Sequence, residues 1–350
     1  MTLLFITQKL HQQDAFVSLW VRAFMRRGYT VKVLCLENKL DVTSRKDASH
    51  PRDMDFEIYS MGKEKGYGRI RQILRFLKFI WSLKYNSVFV HMAPIYGALG
   101  SWFWIIKRIP VYLWYTHYKR SFSMRIVERF VKRIFCATSQ SVPWLESGPR
   151  TADRGPQLPI YKKVVVGHGI DLSFWKKKEN ITSNPRELLV VHRLSRSKRL
   201  EINIRAVKLL PEDYTMVIYG IEAEKDYVSE LKQLVKDLGL ESRVKFVGTT
   251  PMNTLPEIYS SHKLILNMAS ETIDKTMLES MTCGCYPVTT HANSEAIGIS
   301  ESPGSDTPEA VSKFVQEFQG VDADELYRVV AENHGLEGLI EKMDKYIKPI

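Results

Sequence analysis

Short runs of consecutive apolar residues alternate with longer stretches of mixed polarity along the whole chain. Leu3 to Ile6 is apolar at every position, the pattern of a strand covered on both faces. A helical stretch from about Asp14 to Arg27, closed by Gly28, leads to a second run at Val31 to Leu36, which makes a βαβ unit. The runs Val88 to Val90, Val111 to Tyr115, Ile134 to Ala137 and Val164 to Val166 continue the alternation. Charge, polar residues and a proline interrupt it between Lys176 and Pro185, where a linker is expected. It resumes with Leu188 to Val191, Met216 to Tyr219, Val244 to Val247, Leu264 to Leu266 and Tyr286 to Val288. Strands separated by helices imply parallel sheets wound with helices, hence two doubly wound α/β domains with ligands beyond the carboxyl ends of their strands.

A chain of 350 residues, 44% apolar and 25% charged, has enough material for two cores and is not a disordered chain. The expected division is 1–178 and 179–334, with a cleft between the two domains. Residues 335–350 are expected to form a helix that packs back on the first domain. The net charge of +11 is unevenly spread: residues 1–180 carry 31 basic and 13 acidic side chains, residues 181–350 carry 19 and 26. The basic half favours an anionic partner, unless its charge serves solubility alone.

Four cysteines are too few for a disulfide scaffold, and no cleavable signal precedes the first apolar run, so a reducing cytoplasm is expected. Cys283-Gly-Cys285 lacks the spacing and the partners of a zinc site. Tyr85 to Ile106 carries no formal charge, but its Asn86, His91 and Pro94 suit a strand, a loop and a buried helix better than a membrane span.

Candidate chemistry concentrates in the second half. Arg193 follows the Leu188 to Val191 strand and Lys198 opens the next helix, so both can close on one diphosphate with help from helix-terminal N–H groups. An Arg and a Lys flanking a turn are, by themselves, equally consistent with a solvated surface. Further on, Glu271 and Glu279 bracket Thr272-Ile273-Asp274-Lys275. A carboxylate only accepts hydrogen bonds, which suits one of these to a sugar and the other to ribose hydroxyls.

With Gly167-His168-Gly169-Ile170-Asp171, Arg193-Leu194, Lys198, Gly220 and Glu271 to Glu279 in this order, the chain resembles the large retaining glycosyltransferase family with two Rossmann-like domains facing a central cleft (GT-B, family 4-like). That family's signature is Glu-x7-Glu. The resemblance implies a nucleotide-sugar donor, a lipid-linked or cell-envelope glycan acceptor and retention of anomeric configuration. It implies no metal and no cofactor, in keeping with the lack of an Asp-x-Asp pair at a strand end. Arg193 and Lys198 would neutralise the donor diphosphate, Glu279 would hold the ribose, and Glu271 with the backbone of Thr272 and Ile273 would touch the transferred sugar. The family's glycine-rich run after the first Glu is replaced here, so Asp274 or Lys275 either reaches the donor or begins the helix.

In the first half, His117 follows the Val111 to Tyr115 strand, where related enzymes keep a histidine near the donor sugar. His91, His168 and Lys9, the last at the end of the first strand, are weaker acceptor-side candidates. Arg69 to Lys84 interleaves five cations with apolar residues and suits either an anionic membrane surface or a helix of the domain. The expected location is therefore cytoplasmic, peripheral on the inner face of the membrane. An epimerase or phosphorylase of the same architecture remains an alternative, as does a membrane scaffold with a dead donor site. A basic nucleic-acid-binding protein is a third, although no RNP-like or helix-turn-helix signature supports it.

Overall fold

The computed structural model describes residues 1–11, 15–40, 56–145, 162–269 and 273–347. The chain forms two compact units: residues 1–169 with 336–350, and residues 170–335. The first division falls between Gly169 and Ile170, ahead of the charged stretch in which the sequence places a linker. That stretch is a surface loop of the second unit, because Trp175 is buried in that unit's core and the Lys178 N–H donates to Ser260 Oγ at 2.9 Å.

The first unit is built on a parallel sheet of β1 (Thr2–His11), β2 (Thr30–Lys39), β3 (Glu57–Ser60), β4 (Ser87–His91), β5 (Val111–Trp114), β6 (Arg133–Cys136) and β7 (Lys163–Val165). Their order is β3-β2-β1-β4-β5-β6-β7. One face is covered by α1 (Ala15–Arg26) and α12 (Leu336–Ile347), which bury Trp20, Phe24, Leu339 and Met343 against Phe5 and Phe89. The seat of α12 is fixed by charge as well as packing: Arg26 pairs with Glu337, and Arg27 with Glu341 at 3.1 Å. The other face is covered by α2 (Arg69–Ser82), α3 (Pro94–Ile106) and α4 (Phe122–Phe130), which bury Phe76, Ile80, Trp104, Met124 and Val127.

Two expectations change here. β1 does not end near Lys9 but pairs in register with β2 as far as His11, so Lys9 sits on the strand opposite Glu37, exposed. Main-chain pairing carries the strand past Gln8 and Lys9, whatever their polarity. α3, apolar nearly all round its circumference, suggests a buried helix; it buries Tyr96, Gly100, Phe103 and Trp104 but leaves Ile95, Trp102, Ile105 and Ile106 exposed.

The second unit has the parallel order β10-β9-β8-β11-β12, where β8 is Glu187–Val191, β9 Thr215–Tyr219, β10 Val244–Gly248, β11 Leu264–Asn267 and β12 Tyr286–Thr289. Its helices are α5 (Leu200–Leu209), α6 (Lys225–Asp237), α7 (Leu255–Ser260), α8 (Lys275–Thr282), α9 (His291–Ile297), α10 (Pro308–Glu317) and α11 (Ala323–His334). Strands β8, β11 and β12 are buried almost throughout, consistent with helices on both faces. Thr307 caps α10, with Pro308 in the first turn, and Asp322 caps α11. No helix among the described residues is long and apolar enough to cross a membrane.

Candidate functional site

In the second unit the strand order reverses at β8, with β9 on one side and β11 on the other. Ligands of doubly wound sheets sit where the chain leaves the carboxyl ends of two such strands in opposite directions. Here those exits are His192 to Arg199 after β8 and Met268 and Ala269 after β11, with Ile273 and Asp274 leading into α8.

The exit from β8 is held against the end of β9. The Leu194 N–H donates to Ile221 O at 2.9 Å and the His192 N–H to Tyr219 O at 3.2 Å. Gly220 lies under this contact with φ of 153°, and a Cβ there would stand 1.8 Å from the His192 carbonyl oxygen. Arg193 is exposed, and its guanidinium makes no hydrogen bond or ion pair with the described residues, while its carbonyl oxygen lies 3.1 Å from His192 Nδ1. A 3-10 turn over Arg196–Lys198 follows, and Arg199, left-handed at φ 49°, opens α5.

Lys198 is buried and reaches across to the exit from β11, its Nζ 2.6 Å from both carboxylate oxygens of Asp274, 76 residues away. Asp274 occupies the N-cap position of α8 without capping it. Its carboxylate instead faces Lys198 and accepts a 3.0 Å hydrogen bond from Asn267 Nδ2. Side chains beneath secure the loop: Asn267 Oδ1 accepts from the Ala269 N–H, Asn293 Nδ2 donates to Ala269 O at 2.8 Å, and Arg199 Nε donates to Met268 O at 2.7 Å. His192 is buried beside the ion pair. Burial lowers its pKa to about 4, with Lys198 acting in the same direction and Asp274 opposing. It is therefore neutral at pH 7, and its Nε2 has no hydrogen-bond partner among the described residues.

Glu279 lies within α8, one turn beyond Lys275. Desolvation pushes its pKa up to about 7; the Lys275 charge opposes the rise and that of Asp274 adds to it. In the unfolded chain this proton leaves near the ordinary value of 4.5. Unfolding therefore releases a proton between these two values, so this group makes stability fall as pH rises through that window and level off above it. Glu279→Gln should flatten that part of a pH series of denaturant unfolding. A curve unchanged from the parent protein would mean that Glu279 titrates normally.

The structure thus brings together Arg193, Lys198, Gly220, Ile273, Asp274, Lys275 and Glu279 around the β8 and β11 exits. Ile273 turns its side chain onto the core of the unit. Glu271 and Thr272 lie outside the described residues. The other candidates belong to the first unit. His117 follows β5, and partial desolvation by its neighbours lowers its pKa. His91 ends β4, packed 5.8 Å from the Phe5 ring and 5.3 Å from Trp20. His168 is buried between the left-handed Gly167 and Gly169. Sequence reasoning misses His192, Asn267, Arg199 and Asn293. Only Asn267 leaves a trace there, as a polar residue closing an apolar run.

Comparison with known proteins bears on the fold. Residues 171–298 match the model of the glycosyl transferases group 1 family. Over 136 residues the chain is 32% identical to a Campylobacter jejuni protein, the N-acetylgalactosamine-N,N'-diacetylbacillosaminyl-diphospho-undecaprenol 4-alpha-N-acetylgalactosaminyltransferase. That likeness spans 38% of this chain and 36% of the relative. Among solved structures, Anabaena HepE in complex with UDP and glucose superposes with a TM-score of 0.72 at 18% identity, over 99% of this chain and 98% of that one. Sucrose-phosphate synthase from Thermosynechococcus elongatus gives a TM-score of 0.70 at 14% identity, over 99% and 98%. The fold is the two-Rossmann-unit GT-B fold of glycosyltransferases, and the matched family segment contains the whole β8 to α9 region.

Proposed function

We propose that the chain is a retaining glycosyltransferase that moves a sugar from a nucleotide-sugar donor to a lipid-linked or cell-envelope glycan acceptor at the inner face of the membrane. The observation that carries this reading is the placement of Arg193 and Lys198 on the exit from β8 at the point of strand reversal, with Lys198 reaching the N-cap residue of α8, within the segment that matches glycosyl transferases group 1. Support for a lipid-linked acceptor comes from the name of the Campylobacter relative, and for a nucleoside diphosphate from the ligand of the Anabaena structure.

Departure of the nucleoside diphosphate leaves positive charge on the sugar and collects negative charge on the phosphates. Preorganised cations act where that charge develops and cost no rearrangement at the moment of reaction. Arg193 and Lys198 supply them here without a metal, and the dipole of α8 adds to the field. Asp274 holds Lys198 in place before the donor arrives and keeps its charge compensated in a buried setting. Glu279 accepts the ribose hydroxyls once ionised. Same-face attack by the acceptor hydroxyl then retains the configuration.

A thermal-shift panel of nucleoside diphosphates and their sugars tests the donor site, since a ligand bound only by the folded state at a hundred times its Kd adds about 2.7 kcal/mol. One base should stand out, and Arg193→Ala should reduce its effect without lowering the melting temperature of the free protein. Product analysis with and without acceptor separates transfer from epimerisation or phosphorolysis. A panel with no stabiliser would defeat the proposal, and so would transfer with inversion.

A further inference from the structure

Helix α2 presents two apolar stripes. Phe76 and Ile80 enter the core, while Ile70, Leu74 and Trp81 align on an adjacent face at 79%, 61% and 67% exposure. Helix α3 does the same: Phe103 and Trp104 are buried, and Trp102, Ile105 and Ile106 form an outer stripe, Ile106 at 71% exposure. The two outer stripes join, because the Phe103 ring lies 5.4 Å from Trp81 and 5.9 Å from Trp102. Scattered exposed apolar residues are ordinary, whereas a contiguous patch with two tryptophans marks a surface that something covers.

Charge identifies the cover. Between Glu64 and Glu128 the sequence contains eleven Lys and Arg and no Asp or Glu. Arg69, Arg71, Lys78, Lys84, Lys107 and Arg108 edge the patch, all exposed and none paired with a carboxylate among the described residues. Arg75 is the exception in the helix, spent on the Ser60 carbonyl at 2.9 Å. A second copy of the chain seated on this face about a twofold axis would set these cations against their own kind. A bilayer with anionic headgroups offers hydrocarbon for the stripe and phosphates for its rim.

We propose that the joined outer faces of α2 and α3 dock on an anionic lipid bilayer, with Trp81, Trp102 and Ile106 sunk into the headgroup region and the surrounding cations against lipid phosphates. Tryptophan suits that depth, apolar in its body and polar at its N–H. Docking by this face belongs to the first unit alone and does not rest on the sugar-transfer reading.

The test is co-sedimentation of the full chain with vesicles of phosphatidylglycerol and phosphatidylcholine, and with vesicles of phosphatidylcholine alone. Binding should require the anionic lipid and weaken with salt. Trp102→Glu with Ile106→Glu should lower partitioning at least about tenfold, and Arg71→Glu with Lys78→Glu on the order of a hundredfold. Both variants should keep the parent's melting temperature and its response to nucleoside diphosphates, which shows that they fold. The proposal falls if the parent chain ignores anionic vesicles, or if either folded variant binds them as the parent does. It falls equally if the parent chain is a dimer in solution that the Trp102/Ile106 variant dissociates without any vesicle binding. Because no donor or acceptor is present, failure here leaves the donor site untouched.

Discussion

Lys198→Ala should cost the protein both stability and transfer, and the two losses should be separable. In the parent protein Lys198 Nζ sits 2.6 Å from both oxygens of Asp274, with the lysine side chain 7% exposed and the aspartate 20%. Forming such a pair gains little over an apolar contact, because both ions are desolvated, but removing one partner strands the other. Among the described residues, the Asp274 carboxylate would be left with the hydrogen bond from Asn267 Nδ2. Since the carboxylate keeps some access to water, the expected destabilisation is about 2 to 3 kcal/mol, at the low end for a broken buried pair. Loss of one preorganised cation should lower transfer by about 10² to 10³. The double variant Lys198→Met with Asp274→Leu removes the stranded charge, so unfolding should return towards the parent value while transfer stays lost. If the single variant is as stable as the parent, the ion pair is not sequestered as described. If the double variant transfers sugar at the parent rate, Lys198 has no part in the chemistry.

That ion pair also marks the limit of what the sequence alone reveals. Each buried strand was legible, since residues such as Leu188 to Val191 must satisfy apolar contacts on both faces and leave no polar position. β3 was not, because it is an edge strand of four residues, none fully buried, and Glu-Ile-Tyr-Ser carries no apolar run. Arg193 and Lys198 stood out by their spacing near a strand end. Their partner did not, for no periodicity links Lys198 to a residue 76 positions away; only the neighbouring positions of β8 and β11 in the sheet bring Asp274 to it. The outer stripe of α3 was hidden for the opposite reason. When apolar residues fill both faces of a helix, the 3.6-residue period disappears, and only the surrounding structure decides which face is covered. The unit boundary was misplaced because charge and proline between Lys176 and Pro185 report exposure of the backbone, and an exposed loop need not join two cores.

Gly220→Ala should be the most damaging single methyl group in the second unit. A side chain at this position meets the carbonyl oxygen of His192 at 1.8 Å and its carbon at 2.9 Å. Both are backbone atoms of the segment that carries Arg193, so no rotamer change relieves the clash. The neighbouring hydrogen bonds His192 N–H to Tyr219 O and Leu194 N–H to Ile221 O would have to lengthen together, and a φ of 153° adds strain for any side chain. Overpacking that displaces main chain costs about 1 to 3 kcal/mol, and with the conformational term a loss of about 3 kcal/mol or more is expected. Gly239 gives the control within the same unit. Its φ is 66°, but a Cβ there meets nothing within 4 Å, so Gly239→Ala isolates the conformational cost at about 1 kcal/mol. Denaturant unfolding of the two variants should therefore separate them by about 2 kcal/mol. The folded fraction of Gly220→Ala should also bind nucleoside diphosphate more weakly, because the strand end that sets Arg193 has moved, whereas Gly239→Ala should bind as the parent does. Equal stability of the two variants would mean that the β8 exit can yield to a methyl group, and that its position is not fixed by Gly220.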